Sequence, residues 1–149
     1  MLVASFSKVI SMETISELST LLKNMDPKLS DTKYFMASVD QSQLLALSAY
    51  SNFLIDIFRE EEGLSVVFSD EVLDELKELS ETDPVGPFAM ISLNVYSDLM
   101  AVGFLAKITD ALAKQGISVN AFSAYHHDHL FVPYEKRELV MEILKTLSN

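Results

Sequence analysis

The 149-residue chain contains no cysteine. This absence excludes disulfide bonds, thiolate metal sites and cysteine nucleophiles, and it fits the reducing cytoplasm, where we expect the protein to reside. Basic residues are also few, 11 against 22 acidic ones, so the formal net charge is −11. Such an excess of negative charge argues against nucleic acid and anionic membranes as partners.

Long apolar runs are missing as well. The first ten residues, MLVASFSKVI, lack the basic start of a signal peptide and the roughly 20 apolar residues of a membrane span. With 49% hydrophobic and 22% charged residues, the composition is that of a soluble globular protein. Met12 precedes a helical pattern, which leaves open whether residues 1–11 belong to the native fold.

Charge divides the chain into two halves. Residues 1–83 hold 16 acidic and 6 basic side chains, whereas residues 84–149 hold 6 and 5. The boundary falls in ETDPVGPF (Glu81–Phe88), where two prolines and a glycine are typical of a linker. We therefore predict an N-terminal unit over residues 1–83 and a C-terminal unit over residues 84–149.

The second half predicts the order strand, helix, strand, strand, helix. Alternating apolar residues indicate a strand over Ala89–Val95, and an apolar stripe indicates a helix over Gly103–Gly116 that ends at its last glycine. Two further strands, Ile117–Tyr125 and His129–Pro133, are close enough in sequence to form a hairpin. A final amphipathic helix is expected over Glu135–Leu147.

The first half shows the same order about 65 residues earlier, though less clearly. The predicted elements are a strand over Lys33–Val39, a helix over Gln41–Ser48, strands over Asn52–Phe58 and Leu64–Phe68, and a helix over Asp70–Leu79 capped by Ser69. A further N-terminal helix over Glu13–Met25 would end before Asp26-Pro27. Each unit alone is marginally stable, so we expect an α+β fold in which antiparallel sheets are covered by helices on one face.

One stretch of the second half, AVGFLAKITDALAKQGISVNAFSAYHHDHLFVP, resembles an ACT domain, a small ligand-binding module with ferredoxin-like βαββαβ order. The matching positions are Gly103, which opens the helix, Gly116, which closes it, Asp128 in the turn, and the apolar strands Ile117–Ser123 and Leu130–Val132. The first half fits as a degenerate copy. The whole chain therefore resembles small tandem-ACT proteins related to the ACT repeats of arginine-sensing regulators.

The resemblance implies a regulatory protein that binds a small molecule, an amino acid, with no cofactor and no catalytic activity of its own. It also implies a homo-oligomer that transmits ligand occupancy to a protein partner. The ligand would lie where the first strand of the second unit meets its first helix. The implied binding residues are Ser97, Asp98, Leu99, Met100, Val102, Gly103, Phe104, Phe122, Ser123, Tyr125 and Asp128. The alternative is a structural or protein-interaction module that uses the fold without a ligand.

The residues themselves give a physical reason for this location. A helix N-terminus offers unpaired N–H groups and partial positive charge to a carboxylate, and Gly103 lets a ligand approach the backbone. Asp98 could accept hydrogen bonds from an ammonium group, so the loop suits a zwitterion. Equally, Ser97 or Asp98 could cap a turn while Gly103 serves packing. In the first half, QSQLLALS has no opening glycine, which leaves open whether that unit binds a ligand.

All three histidines of the chain lie close together, in the segment His126–His129, with Asp128 among them. A zinc site needs three or four converging ligands, and two histidines two residues apart provide only part of that set. A Ser-His-Asp hydrolase is disfavoured because the chain has no G-x-S-x-G motif. The segment is instead typical of a hairpin tip, whose histidines could make binding or assembly depend on pH between about 5 and 8.

Overall fold

The computed structural model describes residues 17–149. The strands are β1 (Pro27–Val39), β2 (Leu54–Arg59), β3 (Leu64–Ser69), β4 (Val85–Leu93), β5 (Asn120–Ser123) and β6 (Asp128–Pro133). The α-helices are α1 (Leu18–Lys23), α2 (Leu44–Ser48), α3 (Leu73–Leu79), α4 (Phe104–Lys114) and α5 (Arg137–Leu147). The chain thus contains the predicted strand-helix-strand-strand-helix order twice.

The strands form one antiparallel six-stranded sheet in the order β2-β3-β1-β4-β6-β5. The first strands of the two halves, β1 and β4, pair at its centre, with Pro27 opposite Leu93 and Lys33 opposite Ala89. A ferredoxin-like sheet has four strands, and each half of the chain supplies three of them. In the first half β4 takes the position of the fourth strand, and in the second half β1 does. The predicted α+β class is confirmed, and the two expected sheets are continuous with each other.

The helices cover one face of this sheet and bury two apolar cores. Alternate residues of β4, namely Ala89, Ile91 and Leu93, pack against α1, α4 and α5 in the larger core. In the smaller core, alternate residues of β3 pack with Leu47 of α2 and Leu76 of α3. The alternation of apolar residues that predicted the strands thus also indicates which side chains point to the helix-covered face of the sheet.

The opposite face carries no helix among residues 17–149, yet part of it is buried. Tyr34, Val67 and Phe131 are almost inaccessible there. Edge-to-face ring pairs hold this cluster together, with Phe131 at 5.7 Å from Tyr34 and 5.2 Å from Phe122 between ring centroids. The sheet curls so that β2 and β5, its two edges, line a common cavity on this concave face.

The predicted linker over Glu81–Phe88 is wrong in its second half, because β4 already begins at Val85. Gly86 marks a close approach of two strands there. A Cβ atom on Gly86 would lie 2.7 Å from the Phe35 ring and 2.8 Å from the Tyr34 carbonyl oxygen of β1. The glycine that suggested a flexible connection is therefore required by tight strand packing.

Several element boundaries also differ from the sequence predictions. Strand β1 starts at Pro27 rather than Lys33, and β5 spans only Asn120–Ser123. The N-terminal helix is present as α1, while residues 13–16 of its predicted range and the question about residues 1–11 lie outside the described part of the chain. Within residues 17–149, no helix has the length and apolar character to cross a membrane.

Candidate functional site

The loop between β4 and α4 is shaped by hydrogen bonds around Asp98. The Met100 N–H donates to the Asp98 Oδ1 atom at 2.8 Å, and the Ala101 N–H donates to the Asp98 carbonyl oxygen at 2.9 Å. This aspartate therefore stabilises a turn, which was one of its two expected roles. It also lines a small cavity beneath the loop, so its side chain serves the turn at the border of a space that a ligand could enter.

Helix α4 begins without a side-chain cap from any residue in the range 17–149. Its N-cap is Gly103, which lies in the left-handed region with φ of 91°. A Cβ atom there would come no closer than 3.6 Å to the Leu18 side chain, so conformation rather than space requires the glycine. The first-turn amides of this 11-residue helix are consequently left to bind solvent or a ligand.

Asp128 is the most unusual polar side chain near this helix end. It opens β6, pairs with Leu93 and Ser123 in the sheet, and is only 8% exposed. Its carboxylate makes no side-chain hydrogen bond or ion pair with the rest of the described chain. Since no fully buried side-chain oxygen or nitrogen of the described residues lacks a hydrogen-bond partner, this carboxylate keeps access to the cavity and can accept a hydrogen bond from a positively charged group there.

The helix end and Asp128 share one cavity of about 140 Å³. It is lined by Ser97, Asp98, Leu99, Ala101, Gly103, Phe104, Leu105, Ala106, Ser123 and Asp128. None of these side chains is basic, so helix amides are the main donors available to an anionic group. The carboxylates of Asp98 and Asp128 line the same cavity, where carboxylate oxygens can accept hydrogen bonds from a cationic group.

This cavity brings together seven of the predicted binding residues: Ser97, Asp98, Leu99, Gly103, Phe104, Ser123 and Asp128. The other four lie outside it. Met100 and Val102 are each 84% exposed, and Tyr125 lies at the hairpin tip. Phe122 packs against Phe131 on the concave face.

Sequence reasoning missed three lining residues, Ala101, Leu105 and Ala106. The signal that could have found the latter two is their place in the first helical turn, where the backbone N–H rather than the side chain would bind. The assignment of these residues to ligand binding stays a prediction.

The predicted hairpin is present, with β5 and β6 joined by residues 124–127 and the Ala124 N–H donating to the His127 carbonyl oxygen at 3.1 Å. Asp128 and His129 were predicted to belong to its tip, but they lie in β6, because they pair with Ser123 and Phe122 of β5. His127 packs against the Tyr96 ring at 4.8 Å. No group of three or more potential ligands in residues 17–149 is placed to hold a metal ion. His129 instead lies 2.8 Å from the Ser92 hydroxyl through Nδ1.

The environment of His129 disfavours its protonation. Burial lowers the pKa of its imidazole from the ordinary value, and the nearby charge of His127 lowers it further, partly opposed by Asp128. The side chain is therefore mainly neutral at pH 7, and it accepts or donates hydrogen bonds as a neutral ring.

The corresponding helix start in the first half is already occupied by a side chain. Asp40 Oδ1 accepts hydrogen bonds from the Ser42 N–H at 2.8 Å and from its hydroxyl at 2.6 Å. These bonds lower the pKa of the Asp40 carboxyl. The protein's own carboxylate thus takes the place that a ligand carboxylate would need, and the two halves differ at this point.

Models of the ACT domain match the chain twice, over residues 13–84 and 87–146. The chain belongs to the ACT domain family, with two ACT domains in tandem, and ACT domains are regulatory modules. No curated protein matches the chain significantly.

Among solved structures, a Vibrio cholerae protein of unknown function, described as a possible transport protein, is 34% identical. That match covers 89% of this chain and 96% of that one, with a TM-score of 0.72. The ligand-free regulatory subunit of aspartate kinase from Thermus thermophilus is 13% identical over 81% of this chain and 95% of its own, with a TM-score of 0.62. E. coli aspartokinase III, solved with aspartate and ADP, is 16% identical over 81% of this chain and 32% of its own, with a TM-score of 0.60. At these low identities the two kinase matches show a shared fold.

Proposed function

We propose that the protein is a regulatory sensor without catalytic activity of its own, and that it binds an amino acid in the cavity at the start of α4. One observation carries this proposal. The N-terminus of α4, which has no side-chain cap, and the largely buried carboxylate of Asp128 line the same small cavity. A free amino acid has a carboxylate that the helix N-terminus could bind and an ammonium group that Asp128 could bind.

The electrostatics favour a zwitterion over a simple anion or cation. Helix amides stabilise a ligand carboxylate, but Asp98 and Asp128 would repel a ligand that carried only negative charge. A simple cation would satisfy the carboxylates while leaving the helix amides unpaired. The space of about 140 Å³ suits a compact amino acid better than a peptide.

Thermal unfolding against the twenty amino acids tests the proposal. A ligand present at 100 times its dissociation constant should stabilise the protein by about 2.7 kcal/mol, which raises Tm by about 5 to 10 °C. For any amino acid that binds, its N-acetyl and carboxamide derivatives should bind poorly, because each removes one charge. Absence of any shift would favour the alternative, an interaction module that uses the fold without a ligand.

A pair of matched variants identifies the site. Asp128→Asn keeps the size of the side chain and removes its charge, so it should weaken amino-acid binding by about 1.5–3 kcal/mol. Asp74→Asn, on the exposed surface of α3, removes the same charge elsewhere and should leave the affinity unchanged. Equal affinities for the two variants would show that Asp128 does not hold the ammonium group.

A homo-oligomer is the second part of this proposal. Strand β2 is an edge of the sheet, and beside it Leu44, Leu45, Leu54 and Ile57 line an open apolar groove. Exposed strand edges and apolar grooves of this kind favour pairing with a second chain. Sedimentation velocity should show an oligomer that Leu45→Asp weakens, whereas a monomeric wild-type protein would contradict this part.

A further inference from the structure

The concave face of the sheet holds a larger cavity than the one at α4. It has a volume of about 510 Å³, in the range of small-molecule sites. It is lined by Ile55, Asp56 and Phe58 from β2, by residues 121–124 from β5 and the turn that follows it, and by His129 and Phe131 from β6. Both edges of the curled sheet therefore contribute walls, and residues far apart in sequence meet there.

The walls of this cavity are mainly apolar and aromatic. Phe122 and Phe131 meet edge to face at 5.2 Å, which fixes both rings. Phe58 stands at the rim and is 64% exposed, an unusual position for a large apolar side chain. A ligand that covered Phe58 would remove this apolar surface from water.

Among residues 17–149, one charged side chain lines the cavity, and it is negative. Asp56 pairs with Val67 in the sheet, which places it on the concave face, and its side chain makes no hydrogen bond or ion pair with other residues in the range 17–149. His129, on the β6 side of the cavity, is held by Ser92 through Nδ1 and is mainly neutral at pH 7. The described residues thus offer a carboxylate and aromatic faces to the interior, and no positive charge.

An adjoining cavity of about 440 Å³ is also lined by acidic side chains. It shares Phe58 and Phe122 with the first and adds the acidic residues Glu60 and Asp83. These two carboxylates already have partners, since Glu60 accepts from the Ser65 hydroxyl and Asp83 pairs with Lys77 at 3.3 Å. Asp56 is therefore the carboxylate best placed to bind a cationic ligand.

We propose that the concave face is a second small-molecule site, distinct from the cavity at α4, and that it binds an organic cation composed of an amine and an apolar or aromatic body. The amine would pair with Asp56, and the body would pack against Phe58, Phe122 and Phe131. Aromatic faces attract cations, so both parts of the ligand are favoured. An anion of the same shape would meet Asp56 without any compensating charge.

Three probes of nearly equal shape test the charge requirement: phenethylamine, phenethyl alcohol and hydrocinnamate. Each is titrated into isotopically labelled full-length protein, and binding is measured by NMR shifts at Phe58, Phe122 and Phe131. We expect the amine to bind, the alcohol to bind more weakly, and the carboxylate to give no shifts at these residues. A carboxylate that bound as tightly as the amine would overturn the proposal.

Two aspartates on strands provide the matched variants. Asp56→Asn should weaken phenethylamine at least about tenfold, because it removes a charge-assisted hydrogen bond in a partly desolvated site. Asp31→Asn, on the exposed part of β1, should leave the affinity unchanged. Equal amine affinity for Asp56→Asn and the wild type would overturn the proposal even if the amine bound.

The amino-acid site is tested separately in the same spectra. Phenethylamine should shift the concave-face aromatics in Asp128→Asn as it does in the wild type, since Asp128 lines the cavity at α4 and does not line the concave one. Amine-induced shifts confined to Gly103 and Phe104 would place the amine in the first cavity and overturn the second site. This result would leave the amino-acid proposal standing, so failure of either proposal can be recognised.

Discussion

Replacing Gly103 by alanine isolates the backbone conformation on which the α4 cavity depends. With φ of 91°, this position lies where L-residues are strained, and its Cβ would meet nothing closer than 3.6 Å. The expected loss of stability is therefore conformational, about 1–2 kcal/mol, and should lower Tm by about 2 to 8 °C. A larger loss is expected for valine, whose branched Cβ is tolerated less well at positive φ.

Gly116 provides a control that matches this strain. It has φ of 67° at the other end of α4, and a Cβ there would meet no atom within 4 Å. Gly116→Ala should therefore cost a similar 1–2 kcal/mol or slightly less, while leaving the distant cavity intact. Comparing the two variants by urea unfolding and by amino-acid titration separates loss of stability from loss of binding.

The two variants should differ in binding. Gly103→Ala either shifts the first-turn amides or places a methyl group beside them, so affinity for the amino acid should fall, whereas Gly116→Ala should bind as the wild type does. If both bind equally well, the amides beside Gly103 do not hold the ligand. If Gly103→Ala loses no stability, the left-handed conformation assigned to this residue is wrong.

The remaining predictions concern three other positions. Asp98→Asn should preserve the turn, because the amide oxygen of the new side chain can still accept a hydrogen bond from the Met100 N–H. If Asp98 contacts the ammonium group, the variant should weaken the binding of an amine-bearing ligand by about 1.5–3 kcal/mol. Calorimetry measures this affinity, and an unchanged value would exclude the contact. Gly86→Ala should cost about 1–3 kcal/mol in urea unfolding, because its Cβ would overlap the Phe35 ring, and a neutral result would contradict the close packing of β1 and β4. Because the folded state lowers the pKa of His129, the neutral imidazole contributes to stability above the unfolded pKa near 6.5, and this contribution is lost as the pH falls below that value. The free energy of unfolding, measured from pH 8 to pH 5, should therefore decrease, and His129→Gln should reduce the decrease. Identical pH profiles for the wild type and the variant would contradict the assigned environment.

Much of the fold could be predicted because local patterns and global packing agree in the second half. The stripe that predicted α4 contains Phe104, Ile108 and Leu112, all of which are buried. The helix ends at Lys114, and Gly116 follows it in the left-handed conformation that was predicted for its cap. Ser69, predicted to cap the helix that follows it, accepts a hydrogen bond from the Glu71 N–H at 3.3 Å.

Boundaries were predicted less well because they depend on partners distant in sequence. The segment from Pro27 to Leu29 has weak β propensity, but it pairs with the end of β4 and so extends β1. Ile117 lies outside the sheet, and its side chain packs into the helix-covered core. Tertiary contacts therefore override the local pattern at both places.

The candidate site could be predicted in part, because some of its residues follow from local sequence patterns. Glycine and aspartate at a strand-helix junction indicate a cavity with exposed amides, and the structure places these residues there. The face of Phe122 could not be deduced, since it depends on the register that pairs Phe122 with His129 and Ser123 with Asp128. The concave cavity was also beyond local reasoning, because it forms only when β2 and β5 approach across the curled sheet.

Amide NMR of the full-length protein during titration with amino acids tests the central claim most directly. We predict that the amino acid that raises Tm will shift the backbone N–H signals of Gly103, Phe104, Leu105 and Ala106 at low concentration. The same titration of Asp128→Asn should need a much higher concentration. Saturable binding that leaves these four amides unmoved would contradict the account.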